Sequence, residues 1–345
     1  MGAPPGTPTG TATFFDGATP ITCDEGSTSI QPLNGSGAAT CTTSTLSVAG
    51  SPHSITATYN GDANYLGSTS NTVSQTVNAC DNPAIVTKVT PDDGSSGTLR
   101  YALVHVCDGG TITFQAALTG TITLTTGQLE IDKNVTITGP GAAVITVTAN
   151  NSGRVFNVQS GKTASISGLT IAGGNVVNAN QGGLGGGIYI NSAGSLTLTN
   201  CVVSGNKALD TNGGGGGSYN GGTLILLGTT FSGNQSALEG GAIRNDGTLS
   251  LTNSTISGNT AGTSGAAIQN GGPLMIDSST LSGNTASGDG GAIRNDYAAG
   301  TVVTLTATPS ANFLFDSWTG DCSGSGACSV TMNASKSVTA TFKRK

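Results

Sequence analysis

Charge is scarce in this chain of 345 residues: 12 Lys and Arg, 18 Asp and Glu and two His, or 9% charged residues where about 25% is usual. With a net charge of −6 and no basic stripe, a nucleic-acid partner is not expected. No run of 18 apolar residues occurs, so no membrane span is expected. Met1-Gly-Ala-Pro-Pro-Gly6 has no basic and apolar leader, which points to a mature form or a piece of something larger. There is no Cys-x-x-Cys motif and no His beside a cysteine, so neither a metal site nor a cofactor is expected.

What the chain has in excess is glycine, 55 residues, and repetition. Ser-Gly-Asn ends at Asn206, Asn234, Asn259 and Asn284, spaced 28, 25 and 25 residues apart. A pair of apolar residues flanking a polar one moves with it, as Leu196/Leu198, Leu224/Leu226, Leu249/Leu251 and Leu274/Ile276. A later apolar position follows at Val203, Phe231, Ile256 and Leu281, and each unit reopens on a glycine-rich step ending at Ile188, Tyr219, Ile243, Ile268 or Ile293.

A period near 25 residues suits a helical solenoid, a leucine-rich repeat or a β-helix. The units are rich in Gly, Thr, Ser and Asn, poor residues for helix interiors, and their apolar residues alternate as a strand requires. The leading Leu of a leucine-rich repeat is missing. A parallel β-helix remains, with short strands, tight turns and coils stacked about 4.8 Å apart. Leu198, Leu226, Leu251 and Ile276 would then form one interior stack, and Asn206, Asn234, Asn259 and Asn284 a structural ladder at a bend where Asn tolerates left-handed backbone. No coil can stand alone, so such a stack needs several coils and covered ends.

The seven cysteines fall in local pairs, Cys23 with Cys41, Cys80 with Cys107 and Cys322 with Cys328. They are expected as three disulfides of an extracellular or cell-surface protein. Cys201 is left over; it aligns with Gly228, Ser254 and Ser279 as a small residue of the stack.

Residues 1–79 are expected to form a separate β-sandwich, with alternating runs at Thr11–Phe15, Ser54–Tyr59 and Thr72–Val77 punctuated by Pro and Gly. Gly10-Thr-Ala-Thr-Phe-Phe-Asp-Gly17 and Ile55-Thr-Ala-Thr-Tyr-Asn-Gly-Asp-Ala-Asn-Tyr65 resemble bacterial immunoglobulin-like repeats of large secreted and surface proteins. Those domains usually lack a disulfide, from which Cys23 and Cys41 depart. Asp62 is read as a turn former, with a calcium ligand at a domain joint as the other reading.

Residues 80–300 are expected to be the β-helix, opened by a capping helix near 97–107 that turns Leu99, Leu103 and Val106 to one side. Gly97-Thr-Leu-Arg-Tyr-Ala102, Leu129-Glu-Ile-Asp-Lys133, Val135-Thr-Ile-Thr-Gly-Pro140 and Ile166-Ser-Gly-Leu-Thr-Ile171 resemble secreted right-handed β-helix proteins of the pectate-lyase-like superfamily. Phe231-Ser-Gly-Asn234 and Gly240-Gly-Ala-Ile243 are similar to repeats of polymorphic outer-membrane adhesins. Residues 301–345 are expected to be a small β module. Thr304-Leu-Thr-Ala-Thr-Pro309, Trp318-Thr-Gly320 and Val338-Thr-Ala-Thr-Phe342 resemble the B-repeat of internalin-type surface proteins. Trp318 is read as its core, with sugar stacking as the alternative.

The β-helix resemblance implies an enzyme hypothesis, because that superfamily contains polysaccharide lyases and hydrolases, which use clustered carboxylates or a basic residue. The candidates are Arg244 and Asp246, recurring as Arg294 and Asp296, and Glu239, recurring as Asp289. Ladder neighbours two coils apart lie about 9.6 Å from one another, a separation that admits a water. Against this, the intervening coil offers Ser264, Gln269 and Gly271, and no His is near. Ice binding is a third reading, from Thr197/Thr199 and Ser250/Thr252, interrupted by Ile225/Leu227 and Met275/Asp277. The expected function is a non-catalytic secreted or cell-surface rod for display, adhesion or matrix assembly, with a host or matrix glycan or protein as partner or self-association through the β-helix ends.

Overall fold

A computed structural model describes residues 6–177, 183–296, 301–305, 307, 309, 312–333 and 338–345. The chain divides into two compact units, Met1–Cys80 and Asp81–Lys345.

In the first unit the alternating runs become strands Thr11–Asp16 and His53–Tyr59, paired antiparallel from Ala12 opposite Tyr59 to Asp16 opposite Ile55. Shorter strands complete a six-stranded antiparallel sheet. Cys23 and Cys41 form a disulfide with Cα atoms 5.1 Å apart. His53 is buried, its Nδ1 2.5 Å from Asp16 Oδ2 and its Nε2 2.6 Å from Ser47 O. Asp62 accepts from Thr9 N, Asn64 N and Tyr65 N at 2.8, 2.7 and 2.8 Å, which also holds its carboxyl well below the usual range. These bonds tie the Asp62 turn back to the start of the module.

The second unit begins with a parallel β-solenoid of about eight turns. Four parallel sheets run along it. In chain order within a coil, the first holds strands from Leu129–Ile131 to Ile293–Asn295, the second from Ala84–Val86 to Leu274–Asp277, the third from Gly120–Thr123 to Thr280–Ser282 and the fourth from Asn175–Val176 to Thr285–Ala286. Register follows the repeat: Leu224 lies opposite Leu249 and Leu226 opposite Leu251. Period-two alternation turns these leucines inward, where Leu198, Leu226 and Leu251 are fully buried, and the intervening polar residues outward.

At the start of the solenoid stands the helix Leu99–His105. Thr98 caps it by accepting from Tyr101 N at 3.1 Å, and Leu99, Leu103 and Val106 are buried against the first coils. Arg100 fastens it. Its guanidinium meets the buried Asp92 at 2.6 Å and donates to Gly127 O and Gln128 O at 2.6 and 2.9 Å. Lys133 Nζ donates to Val104 O and Val106 O at the helix C-terminus, a favourable place for a cation.

Three details depart from the sequence reading. The residue in left-handed backbone is the glycine of Ser-Gly-Asn, with φ of 64°, 61°, 64° and 62° at Gly205, Gly233, Gly258 and Gly283. The asparagine after it turns inward instead, and Asn206, Asn234 and Asn259 are fully buried. Tyr219 is not the counterpart of Ile188: Ser218 is, and Tyr219 stands outside opposite Tyr189. Likewise Cys201 meets Thr229, not Gly228. Its N–H points to Thr229 Oγ1 at 3.4 Å, and the series continues as Thr229 N to Ser254 Oγ and Ser254 N to Ser279 Oγ at 3.1 and 3.0 Å.

Beyond the coils, Thr301–Leu305 pairs antiparallel with Cys328–Met332, and Phe313–Gly320 with Val338–Arg344. Trp318 is buried there, donates from Nε1 to Gly326 O at 3.1 Å and packs on the Phe315 ring. Cys322 and Cys328 are bonded, Cys80 and Cys107 are each in a disulfide, and Cys201 is a buried thiol.

Candidate functional site

The candidate residues converge on the outer face of the first sheet. Each strand there has three residues, so the middle one points outward. Those middle residues are Glu130, Asn157, Tyr189, Tyr219, Arg244, Gln269 and Arg294, one per coil in parallel register. Glu239 and Ser264 are ladder neighbours in the column on one side, and Gly265 N–H donates to Asp289 O in the coil after. On the other side Asp246 N–H donates to Asn220 O and Asp296 N–H to Asn270 O. The expected spacing of two coils between Arg244 and Arg294 is therefore observed.

Five of the six candidates form one ion-pair network. Arg244 lies 3.5 Å from Asp246 and 3.9 Å from Glu239; Arg294 lies 3.4 Å from Glu239 and 3.2 Å from Asp296. Glu239 bridges both arginines. Arg294 also donates to Ser264 Oγ at 2.8 Å and Gln269 Nε2 to Asp296 at 2.5 Å, so the intervening coil links the two charged ones. Gly214 makes room for this arrangement, because a Cβ there would stand 2.7 Å from Arg244 Cδ. Asp289 is exposed and, among the described residues, has no ion pair. Every network carboxylate thus has an arginine nitrogen within 4 Å.

Two tyrosines continue the same face. The rings of Tyr189 and Tyr219 stack with centroids 4.8 Å apart, and the Arg154 guanidinium lies 4.8 Å over Tyr189. Each ring thereby has a face already covered. Burial pushes the Tyr219 hydroxyl up to about 12, with the charge of Asp246 and a hydrogen bond to it adding to the shift. Burial brings Arg154 down to about 10, opposed by the attraction of Tyr189 and Glu130. Arg154 donates to Gly185 O, Leu184 O and Gln128 Oε1 at 2.9, 2.8 and 2.6 Å. The tyrosine rank was legible in principle, since both residues directly follow the end of a glycine-rich step, but Ser218 stands where the neighbouring coils have Ile188 and Ile243 and so hides where that step ends.

Inside the same sheet lies a second asparagine ladder that the triplet pattern did not announce. Asn220 Nδ2 donates to Asn245 Oδ1 at 2.6 Å, Asn245 to Asn270 at 2.6 Å and Asn270 to Asn295 at 2.9 Å. The signal was the same 25-residue spacing. A third feature missed is a hydroxyl rank outside the third sheet: Thr121, Thr146, Thr170, Val202, Thr230, Thr255 and Thr280 align coil by coil.

Residues 2–78 match the model of the bacterial Ig-like domain (group 3), residues 281–345 that of the divergent InlB B-repeat domain, and residues 228–246 that of the Chlamydia polymorphic membrane protein repeat. No curated protein and no solved structure matches the chain. The pectate-lyase-like superfamily is not directly shown by these matches; the parallel coils show a β-solenoid. The B-repeat match begins inside the last coil, in the strand Thr280–Ser282. What the chain is similar to is a set of modules, two of them repeat families of surface proteins, joined on a β-solenoid.

Proposed function

We propose that this chain is a non-catalytic secreted or cell-surface scaffold, a β-helix rod carrying two small β modules for adhesion, display or matrix assembly. The observation that carries this reading is the network around Glu239. Acid/base catalysis on a polysaccharide needs one carboxyl group ready to give a proton and another, or a base, ready to take one. Here Glu239 is paired with both Arg244 and Arg294, Asp246 with Arg244 and Asp296 with Arg294, so no two of these carboxyl groups face each other across an open, unpaired site. The disulfides and the surface-protein repeat families support an extracellular setting.

A glycan array with the intact chain, followed by a depolymerisation assay on each hit, tests this. Binding without turnover is expected. Turnover that is lost in Asp246→Asn or Asp289→Asn would overturn it in favour of a polysaccharide lyase or glycoside hydrolase.

The third-sheet rank favours a second reading, an ice-binding face. Six of its seven positions are Thr, and the hydroxyls of Thr121, Thr146, Thr230, Thr255 and Thr280 have no protein partner among the described residues. They are free to order water at the strand spacing of about 4.8 Å. Thermal hysteresis above that of an inert control protein, abolished by Thr230→Lys, is its signature.

A further inference from the structure

The two ends of the solenoid are finished differently. The helix Leu99–His105 covers the first coils, whereas, among the described residues, each of the four sheets ends on a strand with no partner on its far side: Leu274–Asp277, Thr280–Ser282, Thr285–Ala286 and Ile293–Asn295. The penultimate coil uses the carbonyls of Pro273, Asp277, Ser282 and Ala292 and the amides of Thr280, Thr285 and Asp296. Alternation then turns the N–H and C=O of Leu274, Ile276, Leu281, Ala286, Ile293 and Asn295 off the end. The residues with these open groups also carry the interior side chains. Ile276 is 37% exposed, where its ladder neighbour Leu251 is 0%, and Met275 beside it is 58% exposed. Interior apolar residues and unpaired backbone on one flat end make a template for further pairing.

We propose that this end closes on the same end of a second copy, tail to tail about a two-fold axis through Met275. Antiparallel pairing about that axis sets Leu274 opposite Ile276 of the second copy, and Ile276 opposite its Leu274. These are the residues with outward N–H and C=O, so each pair exchanges two hydrogen bonds and points both side chains into a continuous interior. Met275 meets its own counterpart at a non-hydrogen-bonded position, where Cα atoms come about 4.5 Å apart. A head-to-tail chain is blocked because the opposite end is occupied by the helix; the symmetric contact closes after two copies.

The area supports a reversible dimer. At about 3.3 Å per residue a coil of about 25 residues has an outline of roughly 80 Å and encloses on the order of 450 Å². Two ends bury on the order of 900 Å², close to the lower bound of specific interfaces and well short of obligate ones. The dimer stands apart from the surface role proposed above and neither requires the other.

Light scattering on the intact chain tests it. The mass is expected to rise from 33.7 kDa towards twice that value between micromolar and near-millimolar protein, and Ile276→Lys is expected to abolish the rise. Because Ile276→Lys also alters the last coil, Met275→Cys supplies a second measurement on an outward residue. Mild oxidation should link it into a covalent dimer, since the expected Cα separation suits a disulfide; Leu66→Cys, 93% exposed in the other unit, is the control. A mass of 33.7 kDa at every concentration, or cross-linking of Met275→Cys no faster than of Leu66→Cys, overturns the proposal. So does slow amide exchange at Leu274 and Ile276 in the monomer, which would mean that residues 301–345 of the same chain cover the end.

Discussion

Asn234 and Asn259 are joined twice across neighbouring coils. The backbone N–H and the Nδ2 of Asn234 both donate to Asn259 Oδ1, each at 2.9 Å, and both residues are fully buried. Asn259 in turn sends its Nδ2 to Phe231 O and Ser257 O, both at 3.1 Å. One amide side chain thus satisfies a turn in its own coil and a turn in the coil before. Replacing Asn259 by Ala leaves several buried groups unpaired at about 1–3 kcal/mol each, so a loss of about 3 kcal/mol or more is expected in the denaturant unfolding of the solenoid. Asn284→Ala, in the half-buried last coil, should cost clearly less.

Gly258 separates conformation from packing. Its φ is 64° and no atom lies within 4 Å of where a Cβ would stand. Gly258→Ala should therefore cost only the left-handed penalty of about 1–2 kcal/mol, and Gly258→Asn less than that. Equal losses for the two variants would contradict this account.

The ion-pair network should matter little to stability. Its side chains are roughly a third exposed, and exposed pairs contribute about 0–1 kcal/mol each. Glu239→Gln is expected to shift the denaturation midpoint only slightly, and to shift it less in high salt, where the pairs are screened. A large loss would show that Glu239 is the keystone of the face.

His53 makes the first unit sensitive to pH. The Ser47 carbonyl first, and the Asp16 carboxylate second, raise its pKa above 6.5. The folded state thus binds the proton more tightly than the unfolded one. Its stabilising contribution is complete below about pH 6.5 and is lost as the pH rises through the raised folded value. Imidazole NMR on the full chain resolves this readily, because His105 is the second of only two histidines. His53→Gln should flatten the pH dependence of unfolding of this unit between acidic and mildly alkaline buffer.

Cys201 should behave as a packing residue. It is 1% exposed, and burial pushes its thiol up, which suppresses the reactive thiolate. A thiol reagent should find no group in the native chain and one after denaturation. Rapid native labelling would place Cys201 at an accessible site.

The repeat, the inward leucines and the capping helix were legible because each depends on local chemistry. Leu224/Leu226 and Leu249/Leu251 alternate as a half-buried strand must, and Leu99, Leu103 and Val106 recur at helical spacing. The direction of Asn259 was not legible. In Ser-Gly-Asn either of the last two residues could take the left-handed position, and Gly takes it more cheaply; only the stacking of the next coil supplies a partner that repays burying the amide. The frame of Tyr219 was lost for a related reason, since strand pairing aligned Ser218 with Ile188 and Ile243 across a longer loop. By itself the chain's composition and period determined that coils would form and stack in parallel. Tertiary structure decided what each ladder touches and that Glu239 is shared between Arg244 and Arg294 two coils apart, because those outcomes depend on contacts between residues 25 to 55 positions apart.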